Sequence, residues 1–457
     1  MERAWRDKLS IPFAIAGGLC LAATAVVCLL LERGGLFDRI GVALSTLALA
    51  ALALLLLRLE KVERRGLLML LLPIGAGLLI RSCMLDYAGT DYNGFLSNWY
   101  QVFQENGGFR AISMSVGDYN VPYLYFMAAI TYIPAPSLYL IKLFSILFDV
   151  ILAWGGFRLV RVLCREEQRN TLPLVAFSIL FLLPTVLLNG AYWAQCDVIY
   201  GALTVLAVAL VLEGKNKTSV ALMAVAFSFK LQTVFVLPLW GVLWLAKRVK
   251  FRELWVFPGV YVLTILPALL LGKPLKDILG IYFNQASQYP RLTLNAPSIY
   301  QFVPYGTESG GNHYALMGIA AAAVLVLVLL AVGLWMGRRL DRRGVMAIAV
   351  VMAIGIPFLL PHMHERYFFL ADVLSACWAC VCLRGIPTAV MVSASSLASY
   401  RVFLRLKFNY VLHLFGNQYG MPIEATVMLA ALVTGVMILV RELKRCMGVR
   451  QNEVEAW

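Results

Sequence analysis

Charge is scarce in this chain. Of 457 residues only 14% are Asp, Glu, Lys or Arg, against about 25% in soluble domains, so water cannot be its main solvent. Histidine occurs only four times, and acidic residues number 25 against 39 basic ones. No internal repeat relates the two halves, and no polar tract is long enough for a large soluble domain. Strict two-residue alternation is missing from the apolar segments, which excludes a transmembrane β-barrel. The nine cysteines are scattered, mostly within apolar runs, so no disulfide framework is implied. Cys377, Cys380 and Cys382 do cluster, but no His or carboxylate is interleaved, so packing is expected there instead of metal ligation.

Apolar residues are abundant, at 61%, with a mean hydropathy of +0.79. They come in long runs, such as Ile11 to Leu31, Gly41 to Leu57 and Ala315 to Met336. At about 1.5 Å rise per residue such runs match a hydrocarbon core of roughly 30 Å. The expectation is an all-α integral membrane protein of about 14 transmembrane helices. The first run follows the basic stretch Met1 to Lys8 but is too long for a secretion signal, so it is expected to be a retained anchor. The formal charge of +14 sits in short clusters between apolar runs, which indicates orientation and no nucleic-acid partner. Placing the clusters Arg3 to Lys8, Arg58 to Arg65, Arg158 to Arg169, Lys215 to Lys217, Lys247 to Arg252, Arg338 to Arg343 and Arg441 to Arg450 inside makes both termini cytoplasmic. Residues 82–120, 190–197 and 273–314, with the turn from Pro361 to Arg366, then face outward, and function is expected there.

An ionisable side chain at membrane depth costs about 2.5–3.5 kcal/mol on insertion scales, so each one needs a reason. In the outer segment Asp86 to Pro122, the apolar positions Phe95, Trp99, Val102 and Phe103 recur at helical spacing and predict an interfacial helix starting near Asp91. Asp91 is then either an N-cap worth about 1 kcal/mol or a carboxylate facing whatever binds at the membrane surface. Asp118 lies in Asp-Tyr-Asn-Val-Pro, which is good turn chemistry. Lys142 and Asp149, seven residues apart, share one helix face and are expected to point into the bundle, each satisfied by polar partners. Lys230 and Gln232 interrupt an apolar stretch and predict a tight hairpin, the buried cation suiting a phosphate or an internal carboxylate. His362, His364, Glu365 and Arg366 follow Pro361 at the end of an apolar run, and favour anion binding over metal for want of a clear third ligand. Trp193, Gln195 and Asp197 form one more polar and aromatic corner.

A carboxylate, cationic groups at span ends and aromatic rings suited to stacking on sugars are the equipment for moving a glycosyl group. The carboxylate serves as general base for an acceptor hydroxyl, while cations hold a phosphate leaving group. A lipid-borne phosphate sugar explains a site at the membrane surface, because its leaving group stays in the bilayer.

Seven segments carry a resemblance: GTDYNGFLSNW, GDYNVPYLYF, IKLFSILFD, WAQCDVIYGAL, AFSFKLQTVFVLP, NAPSIYQF and HMHERYFFLADVL. In this order, from about residue 81 to 375, the chain resembles the GT-C superfamily of polyprenyl-phosphate-sugar-dependent glycosyltransferases. The resemblance is particularly to bacterial proteins related to GPI-anchor mannosyltransferases and to dolichyl-phosphate-glucose glucosyltransferases. The resemblance implies a GT-C-like bundle over residues 67–457, with a long first extracytoplasmic loop carrying interfacial helices, and two additional helices in residues 1–66. It implies that Asp91 is the catalytic base and that His364, Arg366 and Lys230 line the donor phosphate pocket, with Gln195 and Asp197 nearby. His362, Glu365 and Gln232 are grouped with the donor side, and Asp118, Tyr119, Trp99, Trp193, Gln195 and Asp197 with the acceptor or pocket. DYNVP departs from the family's Asp-Tyr-Pro-Pro-like segment by placing Asn120 and Val121 before Pro122. The activity so implied is inverting transfer of a hexose from a polyprenyl-phosphate sugar to a glycan or lipid-linked acceptor, with no obligatory metal or cofactor. The rival from another class is a transporter or flippase of lipid-linked glycans, which the missing repeat and the one-sided polar residues disfavour.

Overall fold

The computed structural model describes residues 2–287, 291–303, 312–404 and 416–448. Almost all of them are helical. The chain forms two compact units, one of Met1–Leu206 with Leu263–Leu279, the other of Ala207–Val262 with Gly280–Trp457. Its first helices are α1 (Glu2–Leu29), α2 (Leu36–Leu59), α3 (Arg64–Ser82), α4 (Ser97–Glu105), α5 (Val121–Ile130), α6 (Ser137–Leu163), α7 (Leu172–Leu182), α8 (Pro184–Leu187) and α9 (Asp197–Leu212). They are followed by α10 (Asn216–Phe229), α11 (Pro238–Leu245), α12 (Phe251–Leu254), α13 (Val256–Leu270) and α14 (Leu275–Ser287). The last five are α15 (Asn312–Met336), α16 (Arg342–Leu359), α17 (Phe369–Val381), α18 (Ile386–Leu404) and α19 (Gly416–Gly448).

Among the described residues eight helices are long and apolar enough to cross a bilayer, or nine if the pair Leu172–Leu182 and Pro184–Tyr192, bent by 45° at its break, is one span. These are the helices of a multi-pass membrane protein. The expected count of about 14 is not reached by length and composition. Val121–Ile130, Asp197–Leu212, Leu231–Leu245 and Phe369–Val381 are apolar but only 10–17 residues long, short of the roughly 20 that a 30 Å core requires. Local chemistry interrupts two of the apolar runs: Pro184 cannot donate the amide that would continue α7 in the bent pair, and Lys230 adopts an extended backbone that ends α10 before Leu231–Leu245.

In the first unit, helices touch where side chains are smallest. A Cβ on Gly17 of α1 would fall on the backbone of Leu71 in α3, and one on Gly75 would meet the Gly17 carbonyl. Small residues let two helix backbones approach, which in lipid replaces the hydrophobic drive available in water. Thus α1 and α2, expected as an addition, are built into this unit. Their connecting turn also braces the next loop. The Glu32 amide donates to both Asp86 carboxylate oxygens at 3.1 and 3.2 Å, the Arg33 amide donates to the Tyr139 hydroxyl at 2.9 Å, and Tyr139 in turn bonds Asp86.

In the second unit α16 is almost wholly buried and packs against α15, α17 and α19. The expected hairpin at Lys230 is present. Asn216 at the start of α10 donates to the Arg248 carbonyl beyond α11 at 3.1 Å, and the Trp240 indole donates to Ser219 at 3.1 Å. Two short parallel strands, β1 (Thr293–Leu294) and β2 (Met363–His364), pair Thr293 with Met363 and Leu294 with His364.

The packing of α1 on α3 makes a directional prediction. Gly17→Val should destabilise the protein by about 1–3 kcal/mol, the usual cost of overpacking. Gly18→Val, where a Cβ meets nothing within 4 Å, should leave the thermal unfolding midpoint almost unchanged.

Candidate functional site

Asp91 stands where a wide helical turn, Tyr92–Leu96, leads into α4. The capping role open to it is not taken up, since its side chain makes no capping bond. Its Oδ2 instead accepts the side-chain amide of Gln195. Gln195 is held from three directions. Its Oε1 accepts the Tyr119 hydroxyl at 3.0 Å, its carbonyl accepts the Ser145 hydroxyl at 2.8 Å, and its own amide N–H donates to the Asn189 carbonyl at 2.9 Å. With oxygen bound to a hydroxyl and nitrogen to a carboxylate, only one amide orientation satisfies both partners. Ala194, at φ +62°, turns the chain to present Gln195, a conformation that costs a non-glycine residue about 1–3 kcal/mol.

Aromatic rings flank this pair. Trp99 meets Tyr119 edge-on at 5.3 Å between centroids, and Tyr119 meets Tyr123 at 4.9 Å. Gly117, at φ +69°, lies under the Trp99 indole, where a Cβ would come within about 3 Å of the ring. Asp118 beside it is exposed, as a turn residue should be. The interfacial helix differs from expectation in one respect. Its apolar positions do not share one face, for Phe103 is fully buried while Phe95 is 49% exposed, because the wide turn before Ser97 shifts the register. Trp193 and Asp197, expected at an outer corner, are both fully buried, with Asn189 donating to Asp197 at 2.8 Å.

Lys142, Asp149 and Arg81 are also buried in the first unit. Lys142 donates to the carbonyls of Met84, Leu85 and Tyr87 at 2.7, 3.1 and 2.7 Å, clamping the segment that leads to Asp91. Asp149 accepts from Arg81 at 2.8 Å, both side chains at 0% exposure, and Arg81 lies over the Phe181 ring at 4.2 Å. Lys142 and Asp149 thus have separate partners and structural roles, as expected. Arg81 was not singled out by the sequence, because it sits at the end of an apolar run and looks like a boundary residue. Removing either member of this ion pair would leave a buried charge, at a cost of about 3–5 kcal/mol.

The second unit gathers the cationic residues. His364 belongs to β2, and backbone bonds on either side of it, His362 N–H to Leu292 at 2.8 Å and Glu365 N–H to Leu294 at 3.1 Å, fix its place. Burial first, then the charges of Arg366 and Lys230, push the His364 pKa down to about 2. The ring is therefore neutral at pH 7, whereas the sequence suggested a cation. The same shift brings His364, Arg366 and Lys230 into one electrostatic neighbourhood. Glu365 is buried and lies 3.4 Å from Arg366, while Ser399 donates to its carbonyl at 3.2 Å. Tyr367 packs against His364 at 5.1 Å and against Phe235 at 6.3 Å. Gln232 is buried next to Lys230 in the turn ending α10. His362 bonds the Arg291 carbonyl through Nδ1 at 2.7 Å. Two further buried interactions escaped the sequence reading: Arg401 to Glu424 at 2.8 Å and Ser393 to Asp372 at 2.8 Å. Each joins residues at least 21 positions apart, so neither leaves a local pattern.

Among the described residues no three His, Cys, Asp or Glu side chains gather as metal ligands would. Cys377 is buried in α17, and Cys380 donates to the Ala376 carbonyl at 3.4 Å. No protein-family model and no curated protein sequence matches this chain.

Depression of the His364 pKa makes stability depend on pH in a defined direction. Below the ordinary value of about 6.5 the unfolded chain binds a proton that the folded chain refuses, so stability falls as pH falls. Between pH 6.5 and 5 the loss from this group should be on the order of 1–2 kcal/mol. Chemical denaturation of wild type and His364→Gln at both pH values checks this, the variant being the less pH-sensitive of the two.

Proposed function

We propose that this protein is a membrane glycosyltransferase that moves a hexose from a polyprenyl-phosphate sugar to an acceptor hydroxyl on the extracytoplasmic face, with inversion. In this proposal its spans form a GT-C-like bundle of about 14, some of them broken or short, with both termini cytoplasmic. The observation that carries the reading is the state of Asp91. One carboxylate oxygen is fixed by Gln195, which also accepts from Tyr119 of the ring pair Trp99 and Tyr119, and the other makes no hydrogen bond among the described residues.

The chemistry follows from that arrangement. Oδ1 of Asp91 takes the proton of the acceptor hydroxyl as its oxygen bonds to the anomeric carbon. The bond from that carbon to the phosphate oxygen breaks, and the polyprenyl phosphate keeps the electron pair. Cations offset the charge that the leaving phosphate gains. Arg366 and Lys230 take that part, with neutral His364 donating a hydrogen bond. Trp99 and Tyr119 offer faces on which a sugar ring stacks, and Gln195 holds the base in one orientation.

Turnover by purified protein supplied with a polyprenyl-monophosphate sugar tests these roles. Asp91→Asn should lower kcat by about 10²–10⁴-fold and leave donor affinity near that of wild type; an unchanged kcat would remove Asp91 from the mechanism. Arg366→Ala should weaken donor binding by about tenfold or more, as expected for one lost charge-assisted contact. Unaltered donor affinity in that variant would assign Arg366 to architecture alone.

A further inference from the structure

Away from the residues given catalytic roles, the second unit carries a basic clasp. The end of α11 and the end of α15 are packed together, with Gly333 against Val242 at distances that only a glycine permits. Arg248, in the turn after α11, reaches across to the turn after α15 and donates to the carbonyls of Arg338 at 2.5 Å and Leu340 at 3.1 Å. Two basic turns are thereby held side by side. Lys247, Lys250, Arg338 and Arg339 are exposed on them, and Arg342 lies close by.

Two carboxylates among the described residues of these turns have partners of their own. Asp341 is engaged by Arg445 at 2.5 Å and by the Gly344 amide at 2.9 Å. Glu253 accepts from the Lys250 amide and from Asn216. Burial first, then the charge of Arg338, lowers the Arg248 pKa to about 10, with the Asp341 carboxylate acting against them and Arg342 with them. Exposed tryptophans ring the same helix ends: Trp244 closes α11, Trp335 lies at the end of α15, and Trp255 follows α12. Phe251 links two of them, 5.5 Å from Trp244 and 6.2 Å from Trp255. Tryptophan favours the headgroup layer of a bilayer, and cations clustered at that depth attract anionic lipid.

We propose that the clasp formed by the turns after α11 and α15 is a binding site for the headgroup of an anionic phospholipid, its phosphate held by Arg248, Arg338 and Arg339 and its acyl chains lying along the exposed tryptophans. The site is independent of the catalytic proposal and serves to lock the two turns together.

The test uses the full-length protein in neutral detergent, with short-chain phosphatidylglycerol, short-chain phosphatidylcholine and inorganic phosphate as separate probes, read by thermophoresis. Phosphatidylglycerol should bind at least about fivefold more tightly than phosphatidylcholine, and inorganic phosphate at equal concentration should not displace it. The double variant Arg338→Gln, Arg339→Gln should lose that preference, whereas Arg64→Gln, Arg65→Gln, altered at another basic turn, should keep it. Size-exclusion elution identical to wild type verifies that both variants are folded. Equal binding of the two lipids, full displacement by phosphate, or a preference that survives in Arg338→Gln, Arg339→Gln would each overturn the proposal.

Discussion

Hydrocarbon offers no hydrogen bonds, so every charge inside an apolar helical protein must be answered by the protein itself. That constraint shapes the first unit throughout. Arg81 and Asp149 answer each other, Lys142 is answered by three backbone carbonyls, and Asp86 is answered by Tyr139 and the turn between α1 and α2. These are structural solutions in which the charged groups bind their neighbours inward. Asp91 differs in that Gln195 holds one of its oxygens, while the other makes no hydrogen bond among the described residues. A carboxylate restrained in this way keeps its orientation while remaining able to accept a proton.

Hydropathy made the membrane class and the long spans legible. Runs such as Gly41 to Leu57 and Ala315 to Met336 became α2 and α15 with ends within a few residues. The short and broken helices were not legible in number, because composition marks a segment as apolar without marking where Pro184 or Lys230 interrupts it. The buried roles of Lys142 and Asp149 followed from their depth. Their partners did not, since the Met84 carbonyl is 58 residues from Lys142 and Arg81 is 68 from Asp149, and periodicity carries no signal over such separations. Gln195 could be named from its motif, but its grip on Asp91 spans 104 residues and shows only in three dimensions.

The two units contribute different chemistry. The first holds an oriented carboxylate; the second sets cations near a histidine that burial first, and then their charge, keeps neutral. The pairing of β1 with β2 sets this histidine on rigid backbone in an otherwise helical unit. The first two helices acquire a purpose as well, because their connecting turn holds Asp86, five residues before Asp91, in place.

Whether a new glycosidic bond forms separates sugar transfer from movement of an intact lipid-linked glycan. Purified protein in liposomes, given a polyprenyl-monophosphate hexose and a hydroxyl-bearing acceptor, should yield an acceptor heavier by one hexose in mass spectrometry. Recovery of an acceptor of unaltered mass, with the intact lipid-linked sugar moved to the opposite leaflet, would contradict the account.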